Sequence, residues 1–516
     1  MERAPKNRFA VKFLAILIVV VCFMGAVAYG FAEYLRAKGE KILVETARDR
    51  YHCSAEWKSV TVSILPPISI TARDLVLRQK GRPGIPPLIT IRKLTAGAGL
   101  IGFLRSPKHL RSFTFEGLVI QVTPGGPESQ KEEKKSGGLI IDNVRADGTI
   151  LRIFSKDHPK EDPLTWNVYR LSLKKVGTGE PMQFRATLRN AVPPGLVETT
   201  GSLGPMNPDK PGLSGVKGEY KFEHADLSVF GGISGMLASH GKFNGSLMRM
   251  NVEGWTDVPD FTLRISGHPV HLKTQFKAVV DGMTGDVKLD PVKAEFRRTH
   301  IVATGSIAGH HGKTLQLDAT VRDGRVEDML WLALKEKQPT LRGAAGFHAT
   351  IEVPPGAADI ARKIRIQATA GVQNAELKPK LQEGAAKISD AARGDPVDHD
   401  ADPSRLASDF QGAFRVEGGV AHFQHLAFEI PGAHVVVNGS YNLISEAVDL
   451  DGTARLEAKL SETQKGIKSF LLKPFDALFK SRHHKEAQAA LPIHIGGTLD
   501  NPTYGPSLGR WLARKL

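Results

Sequence analysis

Beyond about residue 55 the chain is dominated by a two-residue alternation of apolar and polar positions. Leu315, Leu317, Ala319 and Val321 alternate with Gln316, Asp318 and Thr320, and Phe347, Ala349, Ile351 and Val353 follow the same rhythm. The longest run is Val448, Leu450, Gly452, Ala454, Leu456, Ala458 and Leu460. Phe113 and Phe115, then Leu118, Ile120 and Val122, alternate either side of Gly117. Successive side chains of a strand point to opposite faces, so each run predicts a strand with one apolar side.

Helical periodicity is sparse by comparison. It predicts helices over residues 33–50, 226–237, 326–337 ("VEDMLWLALKEK") and 465–480 ("KGIKSFLLKPFDALFK"). So few helices cannot cover so much sheet. An antiparallel sheet with one apolar face must close on itself, stack on a second sheet, or hold an apolar ligand. If a ligand fills that role, the candidate lining residues are Leu315, Leu317, Phe347, Ile351, Val448, Leu450 and Leu456. Which face they share depends on register, since a slip of one residue inverts every assignment.

The N-terminus has a different texture. "FLAILIVVVCFMGAVAYGF", from Phe13 to Phe31, runs 19 residues without a charge, close to the ~20 that cross a hydrocarbon core as a helix. Its anchoring side chains would be Phe13, Leu14, Ile16, Leu17, Ile18, Val19, Val20, Val21 and Phe23. Arg3, Lys6, Arg8 and Lys12 precede it, which places the N-terminus in the cytoplasm by the positive-inside tendency. Ala26-Val27-Ala28 also fits a signal-peptide cleavage site, so anchor and cleaved leader both stay open. Either exports the body of the chain. The expected location is a bacterial inner membrane, crossed once, with the bulk in the periplasm.

A short phrase of glycine, Ser or Thr, and a further residue recurs as Gly148-Thr149-Ile150, Gly201-Ser202-Leu203, Gly245-Ser246-Leu247, Gly305-Ser306-Ile307, Gly439-Ser440-Tyr441 and Gly497-Thr498-Leu499. The spacing is irregular, which suits one structural unit reused with variable loops. "PGGPESQKEEKKSGG" (124–138) and "DAARGDPVDHDADPS" (390–404) are rich in Gly, Pro or charge and read as linkers or long exposed loops. The expected organisation is a tail at 1–12, a membrane helix at 13–31, a β segment at 32–124, a linker at 125–138, repeated β-structure at 139–385 and a C-terminal region at 386–516.

Composition narrows the partners. Lys and Arg (69) exceed Asp and Glu (54) by 15, which favours anionic surfaces. The basic residues are spread out and no nucleic-acid motif accompanies them, so membrane is preferred and nucleic acid is not expected. Only Cys22 and Cys53 occur, too few for a disulfide framework.

No catalytic motif survives its context. Gly97-Ala98-Gly99-Leu100-Ile101-Gly102 has the form of a dinucleotide fingerprint, but Pro107 follows too soon for the crossover helix that would hold a pyrophosphate. Asp398, Asp400 and Asp402 start like a calcium loop, yet Pro403 stands where that loop needs Gly. His310-His311 and His483-His484 lack companions at ligand spacing. The reading is therefore a non-enzyme with no catalytic residue, no metal and no cofactor. The 465–480 segment could lay Ile467, Phe470, Leu471, Phe475, Leu478 and Phe479 on a membrane surface or pack on the β-structure.

"WKSVTVSILPPISITARDLVLRQ", "PLITIRKLTAGAGLIGFLRSPKHLRSFTFEGLVIQVTP" and, near the end, "GAFRVEGGVAHFQHLAFEIPGAHVVVNGSYNLISEAVDLDGTARL" with "LPIHIGGTLDNPTYG" resemble the two ends of AsmA-like proteins. The resemblance implies a mainly β fold: an N-terminal transmembrane helix, then an elongated, curled antiparallel sheet forming an apolar groove, with a few short helices. It further implies phospholipid acyl chains as the partner, moved toward the outer membrane, or contacts with envelope proteins during outer-membrane assembly. It supplies no catalytic residues.

Overall fold

The computed structural model describes residues 33–34, 36–37, 53–63, 68–79, 85–98, 108–122, 139–154, 163–205, 210–282, 284–308, 314–335, 338–356, 358–378, 382, 408–430, 433–456 and 490–506. Among them it forms 26 strands, while the helical pieces between strands are as short as Val326–Ala333 and Ile360–Lys363. The chain divides into two compact units, Met1–Lys221 and Phe222–Leu516.

In the first unit, Cys53–Glu56 and Ser59–Ser63 lie end to end along Ile68–Gln79, which pairs antiparallel with Ile89–Ala98, and that strand with Lys108–Val122. The expected all-antiparallel order then fails. Lys108–Val122 pairs in parallel with Leu139–Asp147 and Thr149–Ile153, so the sheet is mixed. A tight hairpin cannot join parallel neighbours; a connection of a dozen or more residues can. Residues 123–138, which contain the Gly- and Pro-rich stretch at 124–138, supply that length. Antiparallel pairing resumes through Leu164–Val176, Met182–Arg189 and Leu196–Leu203. Val60, Ala72, Leu75, Ile91 and Leu94 form one buried cluster here, and Leu110, Ile141 and Val144 a second.

The second unit is a long antiparallel meander. Met236–Ser246, Arg249–Leu263, Pro269–Val280, Val287–Phe296, Thr299–Ile307, Leu315–Arg325, Leu341–Val353, Arg365–Leu377, Ser408–Glu417, Val420–Ile430, Ala433–Asn442, Val448–Leu456, Ala490–Gly497 and Pro502–Pro506 each pair with the next. Alternation fixes their faces, as in Arg249–Val258, where every second residue is exposed and the residues between are covered to varying degrees. Helix Val326–Ala333 sets Val326 against Ala345, Val372 and Ala375. Leu330 and Leu334 pack with Val416, Ala421, Tyr441 and Val448. These apolar positions are four residues apart, one stripe of a helix.

Two further expectations are corrected. Over 226–237 the chain forms a single 3-10 turn, Leu227–Phe230, and returns to strand at Ile233–Ser234 and Met236–Ser246. Gly231, Gly232 and Gly235 have φ of 62°, 84° and 138°, which a helix does not use. The single-pass inner-membrane placement is also overturned. Among the described residues no helix is long and apolar enough to cross a membrane. Helix Val326–Ala333 has eight residues and carries Glu327 and Asp328 in its first turn, against the ~20 apolar residues a crossing takes. The run Phe13–Phe31, with every anchoring side chain named above, lies outside the described residues, as do 465–480 and Asp398, Asp400 and Asp402.

Candidate functional site

Cross-strand register in the second unit stacks the inward residues into rows that run across the strands. One row passes through Val280, Val287, Ile307, Leu315 and Val353. The next passes through Leu289, Gly305, Leu317, Ile351, Ile366 and Val416. A third is Val292, Ala303, Ala319, Ala349, Ala368 and Phe414. Six strands at ~4.8 Å spacing make such a row about 24 Å long.

The third row is the low one. Ala303, Ala319, Ala349 and Ala368 are only 7%, 4%, 3% and 7% exposed, because their short side chains sit below larger neighbours. Leu289, Leu317 and Ile351 rise on one side as half-buried side chains. On the other side Val321 pairs with Phe347, Phe347 with Ala370, and Ala370 with Gly412. A hollow of 430 Å³ touches Val321, Phe347, Ala370 and Gly412 but is lined equally by Gly346, His348, Thr369, Gly371 and Gln411 of the opposite parity, so it does not belong to this apolar face alone. None of the buried apolar clusters takes in Leu289, Leu315, Leu317 or Ile351. This stretch of sheet has an apolar face with a furrow along it.

The residues singled out from the sequence fall in two groups. Leu315, Leu317, Phe347 and Ile351 come together on the furrowed face, with Leu317 directly opposite Ile351. Val448 and Leu450 share that face farther along, but Val448 is 8% exposed and packs with Leu334, just past the end of the helix. Leu456 pairs by its backbone with Ala433, and its side chain lies outside the described residues.

Gly305 and Gly439 explain the recurring glycine phrase. Both occupy inward positions within paired strands, and a Cβ would collide with the carbonyl oxygen of Gln316 at the first and of Asp449 at the second. Absence of a side chain lets the neighbouring strand approach, which bends the sheet locally. Gly97 likewise sits in a strand, paired with Ser69 and Ser112, where a Cβ would meet Ser112 Oγ at 2.7 Å. Its role in sheet packing accounts for the first glycine of the dinucleotide-like motif; residues 99–102 lie outside the described residues.

A polar assembly at the start of helix Val326–Ala333 was not foreseen. Arg297 and Arg298 form the two-residue turn between Val287–Phe296 and Thr299–Ile307, with Arg297 at φ 51°. Such turns favour Asn-Gly, so an Arg-Arg turn needs outside support. Asp328, fully buried, supplies it. Its Oδ1 accepts from Arg297 Nε at 3.0 Å, and its Oδ2 from Arg298 N and Thr299 Oγ1, each at 3.0 Å. Glu327, 7% exposed, accepts from Arg298 Nη2 at 2.7 Å and from Gly343 N at 3.1 Å, with Arg325 Nε at 3.4 Å. Acidic residues also suit the positive end of a helix. The Arg297 guanidinium lies 5.1 Å from the Trp331 ring, whose other contact is a stack with His268 at 3.9 Å. The signal in the sequence was "FRRTH" between two alternating runs, with "RVED" beginning 29 residues after its first residue.

Asp449, Asp451 and His494 are close enough to share a cation. They are adjacent-strand neighbours, with His494 Nδ1 2.9 Å from Asp451 Oδ1, an ordinary cross-strand pair on the outward face. Elsewhere, Lys93 holds the Glu116 carboxyl below its ordinary range through a hydrogen bond, and burial raises the Cys53 thiol. No family model, curated protein or solved structure matches this chain.

Proposed function

We propose that the furrowed face of the second unit holds lipid acyl chains, and that the chain acts by binding and guiding phospholipid without covalent chemistry. The carrying observation is the set of apolar rows crossing the strands, with a floor of alanines between Leu317 and Phe347. Acyl chains are long, flexible and apolar. A furrow running across strands can accept them over a distance that grows with each added strand. Covering such a face with hydrocarbon is favourable by ~25 cal/mol per Å² of apolar surface removed from water. The resemblance to AsmA-like proteins supports the same reading, since it implies an apolar β-groove.

The test is photocrosslinking in cells with a photoreactive residue at Leu317 or Ile351, compared with outward neighbours Gln316 and Asp318. Lipid adducts at the inward pair alone are expected. Adducts at neither pair would sink the proposal and leave a sealed protein face, the state that an assembly factor working through protein contacts requires.

A further inference from the structure

The polar assembly beside helix Val326–Ala333 borders a cavity of 530 Å³ whose lining includes Arg297, Arg298, Arg325 and Arg342, together with Glu327 and Glu376. Four guanidinium groups facing one hollow repel one another, and a fold retains them at a cost unless something anionic balances them. The buried Asp328 and Glu327, with Glu376 opposite Arg342 across the strand pair, leave one positive charge in excess. Both Arg297 and Arg325 turn their Nε toward these carboxylates. Among the described residues, the terminal Nη groups of these two arginines make no hydrogen bond in the protein, and the guanidinium of Arg342, opposite Glu376 across the strand pair, makes neither a hydrogen bond nor an ion pair.

This geometry is preorganised. The Trp331 ring and Asp328 fix Arg297, and Glu327 fixes Arg298 and Arg325. The carboxylates therefore serve as a rear brace while unused N–H donors remain at the front. Arginine forks match the paired oxygens of phosphate better than any other side chain. We infer that this cavity is a binding site for a phosphate group, with Arg297, Arg325 and Arg342 as its donors.

The site does not depend on the acyl-chain reading. Arg342 and Ala344 are exposed, whereas Ala345 between Ala344 and Phe347 is 6% exposed and belongs to the inward cluster. The arginine cavity shares no lining residue with the furrow formed by Leu289, Leu317, Phe347 and Ile351. Its phosphate could belong to a soluble ester or to a lipid head group, and the two sources separate by experiment.

Titration calorimetry of the full chain with inorganic phosphate, and flotation with phosphatidylcholine vesicles with and without phosphatidic acid, form the two arms. Wild type is expected to bind in at least one arm, and Arg342→Gln to weaken that binding at least tenfold. Arg342 makes no internal ion pair, so its replacement leaves the fold intact; Arg325→Gln gives a second reading from the braced side. Lys277→Gln, on an outward position toward the far end of the adjoining strand and outside the cavity lining, should change nothing. Saturation by inorganic phosphate alone identifies a soluble ester. Arginine-dependent flotation that inorganic phosphate does not displace identifies a lipid head group. Absence of binding in both arms, or binding that both arginine variants leave unchanged, overturns the inference. Loss of lipid crosslinks at Leu317 with phosphate binding retained would count against the furrow alone.

Discussion

Lys93 and Glu116 face each other across adjacent strands, with Nζ 2.7 Å from Oε1. Their side chains are 35% and 41% exposed, so water screens the pair, and its contribution is at most about 1 kcal/mol. The sign with pH is nevertheless fixed. Lys93 lowers the folded-state pKa of Glu116, so the pair stabilises the fold above the ordinary carboxylate range. That stabilisation is lost as pH falls through the lowered folded value. Urea unfolding of wild type and Lys93→Met should therefore differ near neutral pH and converge in acid. A difference that grew in acid would contradict the assignment. Asp328 is a contrasting case, because no solvent reaches it and three donors converge on it. Its energetic role is to satisfy the buried Thr299 hydroxyl and hold a left-handed arginine in place.

Within a strand, the alanine row gives a sharper test of whether the furrow is open. Ala349 pairs with Ala319 on one side and Ala368 on the other. In a closed core, a larger side chain at this position would have to displace its neighbours, costing typically 1–3 kcal/mol. In an open furrow the added atoms of Ala349→Leu project into free space, and the expected cost is below about 1 kcal/mol, accompanied by less co-purifying lipid in native mass spectrometry. A large loss of stability with lipid unchanged would mean the face is sealed. The alternation that makes this row was plain in the sequence, because period two alone assigns Leu317, Ala319 and Val321 to one side. The row itself was not, since it is created by register, and register comes from pairings far apart in sequence. Bulges such as that between Val321 and Gly324 shift it further. The parallel step at Lys108–Val122 was hidden for a similar reason: a linker composition does not reveal which way the chain returns. The arginine cavity was hardest to foresee, since it joins a turn, a helix start and a strand separated along the chain.

Taken as a whole, the second unit changes character along its meander, and the proposed function must change with it. From Arg249–Leu263 to Leu341–Val353 the large inward side chains are mostly half-buried. Beyond Arg365–Leu377 they condense into packed clusters: Val435 and Ala454 are fully buried, Val437 is 1% exposed, and Leu330 of the helix with Leu334 just past its end packs with Val416, Tyr441 and Val448. Apolar surface that protein already covers gains nothing from lipid. Lipid crosslinks should therefore be strong at Leu289, Leu317 and Ile351 and absent at Val416, Tyr441 and Val448, although all lie on the same face. Shortening the helix cover tests the cause directly. Leu334→Ser uncovers part of the Val448 cluster, and adducts should then appear at Val448 while those at Leu317 stay unchanged. Equal labelling of both regions in the wild type would mean that the helix does not close this face, and that the boundary between open furrow and packed core lies elsewhere.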